Sequence, residues 1–125
     1  MICGIGVDLV SVSRIDQAMN RFGDRFLDRI YTPEERRISN GQARFYAGRF
    51  GIKEALLKAL GTGLSEGMRW QEIQTLCLSS GAPDVRCTGQ VHALLGDRGV
   101  QRIWASLSHE KDQVVAMVLL EGFLP

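Results

Sequence analysis

An α+β fold is predicted, with early helices packed on a mainly antiparallel sheet that closes with a C-terminal hairpin. Three observations predict it. Apolar residues recur at helical spacing from about residue 13 to residue 60. After residue 70 they alternate or run in short unbroken stretches, as strands require. One further strand-like stretch opens the chain, so helices cluster early and strands cluster late.

The opening strand covers residues 2–10, with Ile5, Val7 and Leu9 on one face and Gly4, Gly6 and Asp8 on the other. Ser11 or Ser13 can cap the next helix, and Ser13 with Asp16 resembles a capping box. Ile15, Met19, Phe22, Phe26 and Ile30 carry that helix to about residue 30, with Gly23 weakening or bending it. Thr32-Pro33-Glu34-Glu35 is a helix start: a cap, Pro at the first position and Glu three after the Thr. This short helix fades near Asn40-Gly41. The longest pattern spans 42–60, with Ala43, Ala47, Phe50 and Leu57 on one stripe and Ile52, Leu56 and Leu60 on another. It is therefore expected to be buried on more than one side, and Gly61-Thr62-Gly63 ends it. Residues 70–79 and 84–88 read as strands about a turn at Gly81-Ala82-Pro83. A short helix from Thr88 or Gly89 to about Leu95 and a loop from Gly96 to Gly99 follow. Strands 100–108 and 113–121 flank a turn at His109–Asp112, and Val114, Val115, Met117, Val118, Leu119 and Leu120 mark the centre of the sheet.

With 125 residues and neither linker nor repeat, the chain reads as a single domain, 1–125. Hydrophobic residues at 45% and charged residues at 23% argue against disorder. A net charge of +1 provides no global field for nucleic acid or membrane. Only Lys53, Lys58 and Lys111 of the fifteen basic residues are Lys. The excess of Arg suits planar recognition of phosphate or carboxylate. Cys3, Cys77 and Cys87 form no C-x-x-C and no Cys/His spacing, which excludes a disulfide framework and a zinc site. Cys3 and Cys77 read as small core residues. The start, MICGIGVDLV, lacks a basic n-region and is interrupted by Gly4, Gly6 and Asp8, so neither a signal peptide nor a membrane span is expected. The expectation is a reduced, soluble, cytoplasmic protein.

Two carboxylates stand out. Asp8 lies on the glycine face of an apolar strand, where a bare charge is costly unless paired or bound to a metal. Gly4 and Gly6 beside it would let a ligand lie close to the backbone; the alternative is a solvent-facing or salt-bridged Asp. Glu54 occupies the stripe of Ala47, Phe50 and Leu57, where an apolar residue is expected, with Lys58 one turn further on. An ordinary Glu54→Lys58 helix pair would be worth a few tenths of a kcal/mol. Two acids on separate elements beside Lys and Gly-x-Gly would instead suit Mg²⁺ and a phosphorylated ligand.

The remaining motifs have ordinary readings when taken singly. Gly4-Ile5-Gly6 is no dinucleotide fingerprint, because Leu9 stands where the third glycine belongs. Ser108-His109 lacks a positioned third member for a hydrolase. His92 sits on a short amphipathic helix as a surface or core-edge residue. Arg14, Arg21, Arg25 and Arg29 form a basic stripe on the first helix, partly neutralised by Asp16, Asp24 and Asp28. It is either a solvated face or a dock for an acidic helix or phosphate.

Three blocks, GIGVDLVSVSRI, FYAGRFGIKEALLKALGTG and WASLSHEKDQVVAMVLLE, together resemble the signatures of the 4′-phosphopantetheinyl transferases. Length and order are similar to the small bacterial type, and the likeness covers nearly the whole chain. The central pattern A-G-R-F-x-x-K-E-A-x-x-K-A-x-G-T-G is complete from Ala47 to Gly63. The resemblance implies transfer of 4′-phosphopantetheine from coenzyme A to a serine of apo acyl carrier protein, leaving adenosine 3′,5′-bisphosphate, in support of fatty-acid biosynthesis. It implies that Asp8 and Glu54 hold Mg²⁺, with Mn²⁺ as a substitute, and that Lys58 sits at the phosphates. Gly61 would let backbone approach the nucleotide. Glu54 is the first choice and Asp8 the second for deprotonating the carrier serine. The small members are trimers, so Arg49, Ser108 and His109 would reach coenzyme A from a neighbouring chain. Arg14 and Arg25, with Arg21 a third, would meet the carrier. The Gly81–Thr88 stretch is given no catalytic part. A non-catalytic phosphate- or nucleotide-binding module is the rival, and would not need both Asp8 and Glu54. An RNA-binding domain using the Arg stripe is a second rival, but this chain has neither the interleaved aromatics nor the basic balance it needs.

Overall fold

A computed structural model describes residues 1–65 and 67–123. The chain runs β1 (Ile2–Ser11), α1 (Val12–Phe22), α2 (Asp24–Ile30), α3 (Pro33–Ile38) and α4 (Ala43–Leu60). A short 3₁₀ turn, Trp70–Glu72, leads into β2 (Ile73–Cys77), β3 (Pro83–Cys87), α5 (Gly89–Asp97), β4 (Val100–Glu110) and β5 (Gln113–Gly122). β1, β5 and β4 form an antiparallel sheet in that order, and β2 and β3 form a separate antiparallel ribbon. The α+β expectation holds, and β5, with its near-continuous apolar run, is the central strand.

Gly23 breaks the first helix instead of bending it. Its φ of 57° ends α1, its N–H donates to Met19 O at 2.8 Å, and α2 starts afresh at Asp24. The Thr32 capping box forms as its spacing predicts: Thr32 Oγ1 accepts from Glu35 N at 3.1 Å and Glu35 Oε1 from Thr32 N at 3.0 Å. Glu35 is also fully buried, where Lys53 of α4 donates to it at 2.9 Å and Thr75 N donates to its second oxygen at 3.0 Å. Burial lowers the Lys53 ammonium pKa, and the charge of Glu35 opposes that shift. The buried pair thus ties α3, α4 and β2 together at the residue before Glu54. At the start of the 70–79 stretch, Lys53 Nζ donates to the carbonyl of Trp70 at 3.1 Å and to that of Ile73. The strand itself is only five residues long.

α4 packs across the sheet through its small residues. Gly48 faces Leu107, Gly51 faces Ala116 and Val10, Ala55 meets Gly6, and Ala59 meets Gly4. This corrects the reading of the glycine face of β1. Helix backbone, not a ligand, comes close to Gly4 and Gly6, and a methyl on Gly6 would overlap Ala55 O. The interior lies around α4. One part includes Ile52, Leu56, Leu60, Val91, Val118 and Leu120, and the other Val10, Ile15, Tyr31, Tyr46 and Val114. Overpacking costs about 1–3 kcal/mol and occasionally more. Gly6→Ala is therefore expected to lower stability by about 3 kcal/mol, read as a lower urea midpoint, while Gly41→Ala, with no neighbour to strike, loses only what its φ of 69° demands.

The opposite face of the sheet is uncovered. Ile5, Val7 and Leu9 of β1 are 62%, 55% and 61% exposed, and their partners in register on β5 are Leu119, Met117 and Val115. Trp104 of β4 extends this row beside Leu119.

Candidate active site

The close seat of α4 on β1 brings Asp8 next to the helix. Lys58 Nζ donates to Asp8 Oδ1 at 2.8 Å and to Val7 O at 3.1 Å. Glu54 lies one turn before Lys58 on the same helical face. Asp8, Glu54 and Lys58 line one open cleft of about 450 Å³, completed by Leu9–Ser11, Arg14, Ile15 and Phe50.

The charges in this cleft act on one another. Burial raises the Glu54 carboxyl above its usual range, the Asp8 carboxylate raises it further, and Lys58 opposes the shift. The Lys58 ammonium is raised by its hydrogen bond to Asp8, then by the Asp8 charge, with Glu54 adding to it. The simple helix pair weighed for Glu54 is therefore not the main contact of Lys58, which turns across to the strand. Two carboxylates thus face one cationic side chain in an open cleft. Among the described residues, no three His, Cys, Asp or Glu side chains gather into a protein cage for a metal ion. Two carboxylate groups fit a hard cation that fills its shell with water and phosphate oxygens, as Mg²⁺ commonly does.

Arg49, Ser108 and His109 belong to a different cleft, of about 230 Å³, which shares no lining residue with the first. Arg49 is 7% exposed. Its Nε donates to Thr75 O at 3.2 Å, its Nη2 donates to Cys77 Sγ at 3.1 Å, and its guanidinium lies 3.9 Å from the Phe45 ring centre. On its other side Arg49 lines a cleft of about 310 Å³ with Cys77, Gly81, Ala82 and Pro83. Cys77 is exposed at this edge instead of lying in the core, and Cys3 is half-buried. The turn at Gly81–Pro83, given no part by the sequence, walls a cleft beside a buried Arg. Its composition signals a turn but carries no sign of the long-range neighbour it meets.

Gly61 caps α4 in the left-handed conformation, φ 78°, with open space around its α-carbon. Arg14 reaches the Asp8 cleft, whereas Arg21 and Arg25 stand exposed on α1 and α2. The break at Gly23 divides the basic stripe between two helices. Asp24 and Asp28, expected to neutralise it, pair with Arg36 of α3, the first at 2.7 Å. Ile15 and Phe50 read as core from their spacing, yet they also line the cleft.

Residues 4–118 match the family model described as the 4′-phosphopantetheinyl transferase superfamily. A holo-[acyl-carrier-protein] synthase of Desulforudis audaxviator is 46% identical over 125 residues, covering 98% of this chain and 95% of the relative. One from Desulfovibrio desulfuricans is 40% identical over 123 residues, covering 98% and 99%. Among solved structures, the holo-[acyl-carrier-protein] synthase of Neisseria meningitidis superposes with a TM-score of 0.88 at 36% identity, covering 97% of this chain and 99% of that one. The Helicobacter pylori enzyme, solved in complex with coenzyme A, gives 0.85 at 29% identity, covering 94% and 99%. With the motif of α4 complete, and with sequence and fold matching over nearly the whole length, this chain belongs to the 4′-phosphopantetheinyl transferase superfamily.

Proposed function

We propose that the chain is a holo-acyl-carrier-protein synthase. It transfers 4′-phosphopantetheine from coenzyme A to a serine hydroxyl of apo acyl carrier protein, in support of fatty-acid biosynthesis. The products are holo carrier and adenosine 3′,5′-bisphosphate. The observation that carries this reading is the cleft in which Asp8 and Glu54 flank Lys58 beside Arg14. Asp8 and Glu54 would hold Mg²⁺, or Mn²⁺ in its place. When bound, the ion neutralises charge on the pyrophosphate and on the departing bisphosphate. Lys58 offers a point charge to the phosphate oxygens. Glu54, whose surroundings strengthen its hold on a proton, accepts the proton of the carrier serine. Asp8, already paired with Lys58, is the second choice.

Arg14, Arg21 and Arg25 meet an acidic helix of the carrier, so this docking weakens as salt screens it. The uncovered sheet face supports a homotrimer, since a row of Ile, Val, Leu, Met and Trp is out of place in water. In that assembly Arg49, Ser108 and His109 of a neighbouring copy bind the adenosine 3′-phosphate, while backbone at Gly61 approaches the nucleotide. Two clefts that share no residue on one chain suit one ligand spanning two chains. The protein works in the reducing cytoplasm, in keeping with its three free cysteines, and among the described residues no helix is long and apolar enough to cross a membrane.

Incubation with coenzyme A, Mg²⁺ and apo acyl carrier protein should add the mass of one phosphopantetheine to the carrier. The addition should stop when EDTA removes the ion and resume with Mn²⁺. Coenzyme A binding without transfer to any of several carriers would favour the non-catalytic module, although such a module needs no pair of carboxylates.

A further inference from the structure

α1 starts without an acidic residue in its own first turn. The anion that helix N-termini favour comes instead from Asp112, in the two-residue β4–β5 turn, 99 residues from Ser13 in sequence. Asp112 Oδ1 accepts from Ser13 N at 2.9 Å, and Oδ2 accepts from Ser11 Oγ at 2.9 Å and from Ser13 Oγ at 2.7 Å. Its backbone carbonyl accepts from Val12 N at 2.7 Å. Asp16, which the sequence offered as a capping partner of Ser13, takes no part in these bonds.

The polarity of these bonds matters. A carboxylate only accepts, and each serine hydroxyl has one proton to give. The carboxylate accepts from both hydroxyls, which lie 3.0 Å from each other, and so holds Ser11 Oγ in the place where Arg14 N donates to it at 3.3 Å. This is the cap that fixes the first turn of α1, and Arg14 in that turn lines the cleft of Asp8, Glu54 and Lys58. The same bonds hold the Asp112 carboxyl below its ordinary range, so it accepts throughout the neutral range.

We propose that Asp112 is a positioning residue for carrier engagement: through Ser11 and Ser13 it sets the first turn of α1 and the place of Arg14. The proposal rests on the reading of Arg14 as a carrier contact. Asp112 itself lines neither cleft.

The test measures apo-carrier affinity by titration, with KM for coenzyme A alongside, for the full chain and three variants. Asp112→Ala should weaken carrier binding by about 5- to 10-fold and leave the coenzyme A KM within about twofold. Asp112→Asn suits a turn equally well, but its Nδ2 donates where the carboxylate accepts, so it should be as impaired as the Ala variant. Asp112→Glu keeps an acceptor-only carboxylate in the turn and should retain most of the affinity that Asp112→Ala loses. Asp112→Asn with wild-type carrier affinity would reduce Asp112 to a turn residue and overturn the proposal. So would equal losses for carrier and coenzyme A, or an Asp112→Glu variant no better than Asp112→Ala. A wild-type chain that binds no carrier would overturn the functional reading, and this one with it, a result distinct from the others.

Discussion

Asp8→Asn should lower kcat/KM for carrier modification by about 10³-fold or more, with the fold intact. The size follows from what is removed. A cation in such a site supplies several kcal/mol of charge stabilisation in the transition state, and each 1.36 kcal/mol is about tenfold in rate. Loss of stability cannot account for such an effect. Lys58, the partner of Asp8, is 52% exposed, and an ion pair to so exposed a cation adds little to stability. The circular dichroism spectrum and urea midpoint of Asp8→Asn should therefore stay close to wild type while mass spectrometry of the carrier shows almost no product. Titration with Mn²⁺, followed by electron paramagnetic resonance, adds a readout independent of turnover: the variant should bind the ion at least tenfold more weakly. A variant with more than a tenth of wild-type activity would remove Asp8 from the chemistry. Glu54→Gln should fall in the same range but discriminates less, because one substitution removes both a proposed ion ligand and the proposed base.

The second large effect concerns the uncovered sheet face. Met117 is the central residue of its row, between Val7 of β1 and Ser106 of β4, and is 44% exposed. In an isolated chain Met117→Asp would be a mild surface change. In a trimer it would place an unpaired carboxylate at an apolar contact in every subunit, at a cost of several kcal/mol each. Sedimentation at micromolar concentration should show a folded monomer for the variant and the proposed trimer for the wild type, with activity reduced by about 10²-fold or more. Restored activity on mixing an Asp8 variant with an Arg49 variant, each inactive alone and each able to assemble, would locate the two clefts on different chains. A fully active monomer would place the whole coenzyme A site within one chain.

Local chemistry made much of this fold legible. The Thr32 capping box, the Pro33 start, the Gly61 cap and the β4–β5 hairpin all announce themselves within a few residues, and all are present. Gly23 was legible as a weak point, but whether a helix bends or stops depends on what its two halves pack against. The glycine face of β1 misled for a similar reason. A missing side chain signals close approach by something, and the sequence has no local mark to distinguish a helix from a ligand. Asp8 and Glu54 were each visible as charge in apolar company, and Lys58 as the helix neighbour of Glu54. Their meeting was legible only through the family resemblance, since Lys58 had a partner at hand in Glu54 and chose one 50 residues away. Contacts of that range, such as Glu35 to Thr75 or Asp112 to Ser13, arise from packing and have no local periodicity to reveal them.

At Gly4 and Gly6, strand and helix touch through main-chain atoms alone. No side chain mediates the gap between the segment bearing Asp8 and the one bearing Glu54. A side chain at either position would push the helix off the strand and carry the two acids apart. The distance between the two acids is thus insulated from mutational drift, guarded by two positions at which any atom beyond hydrogen is too many.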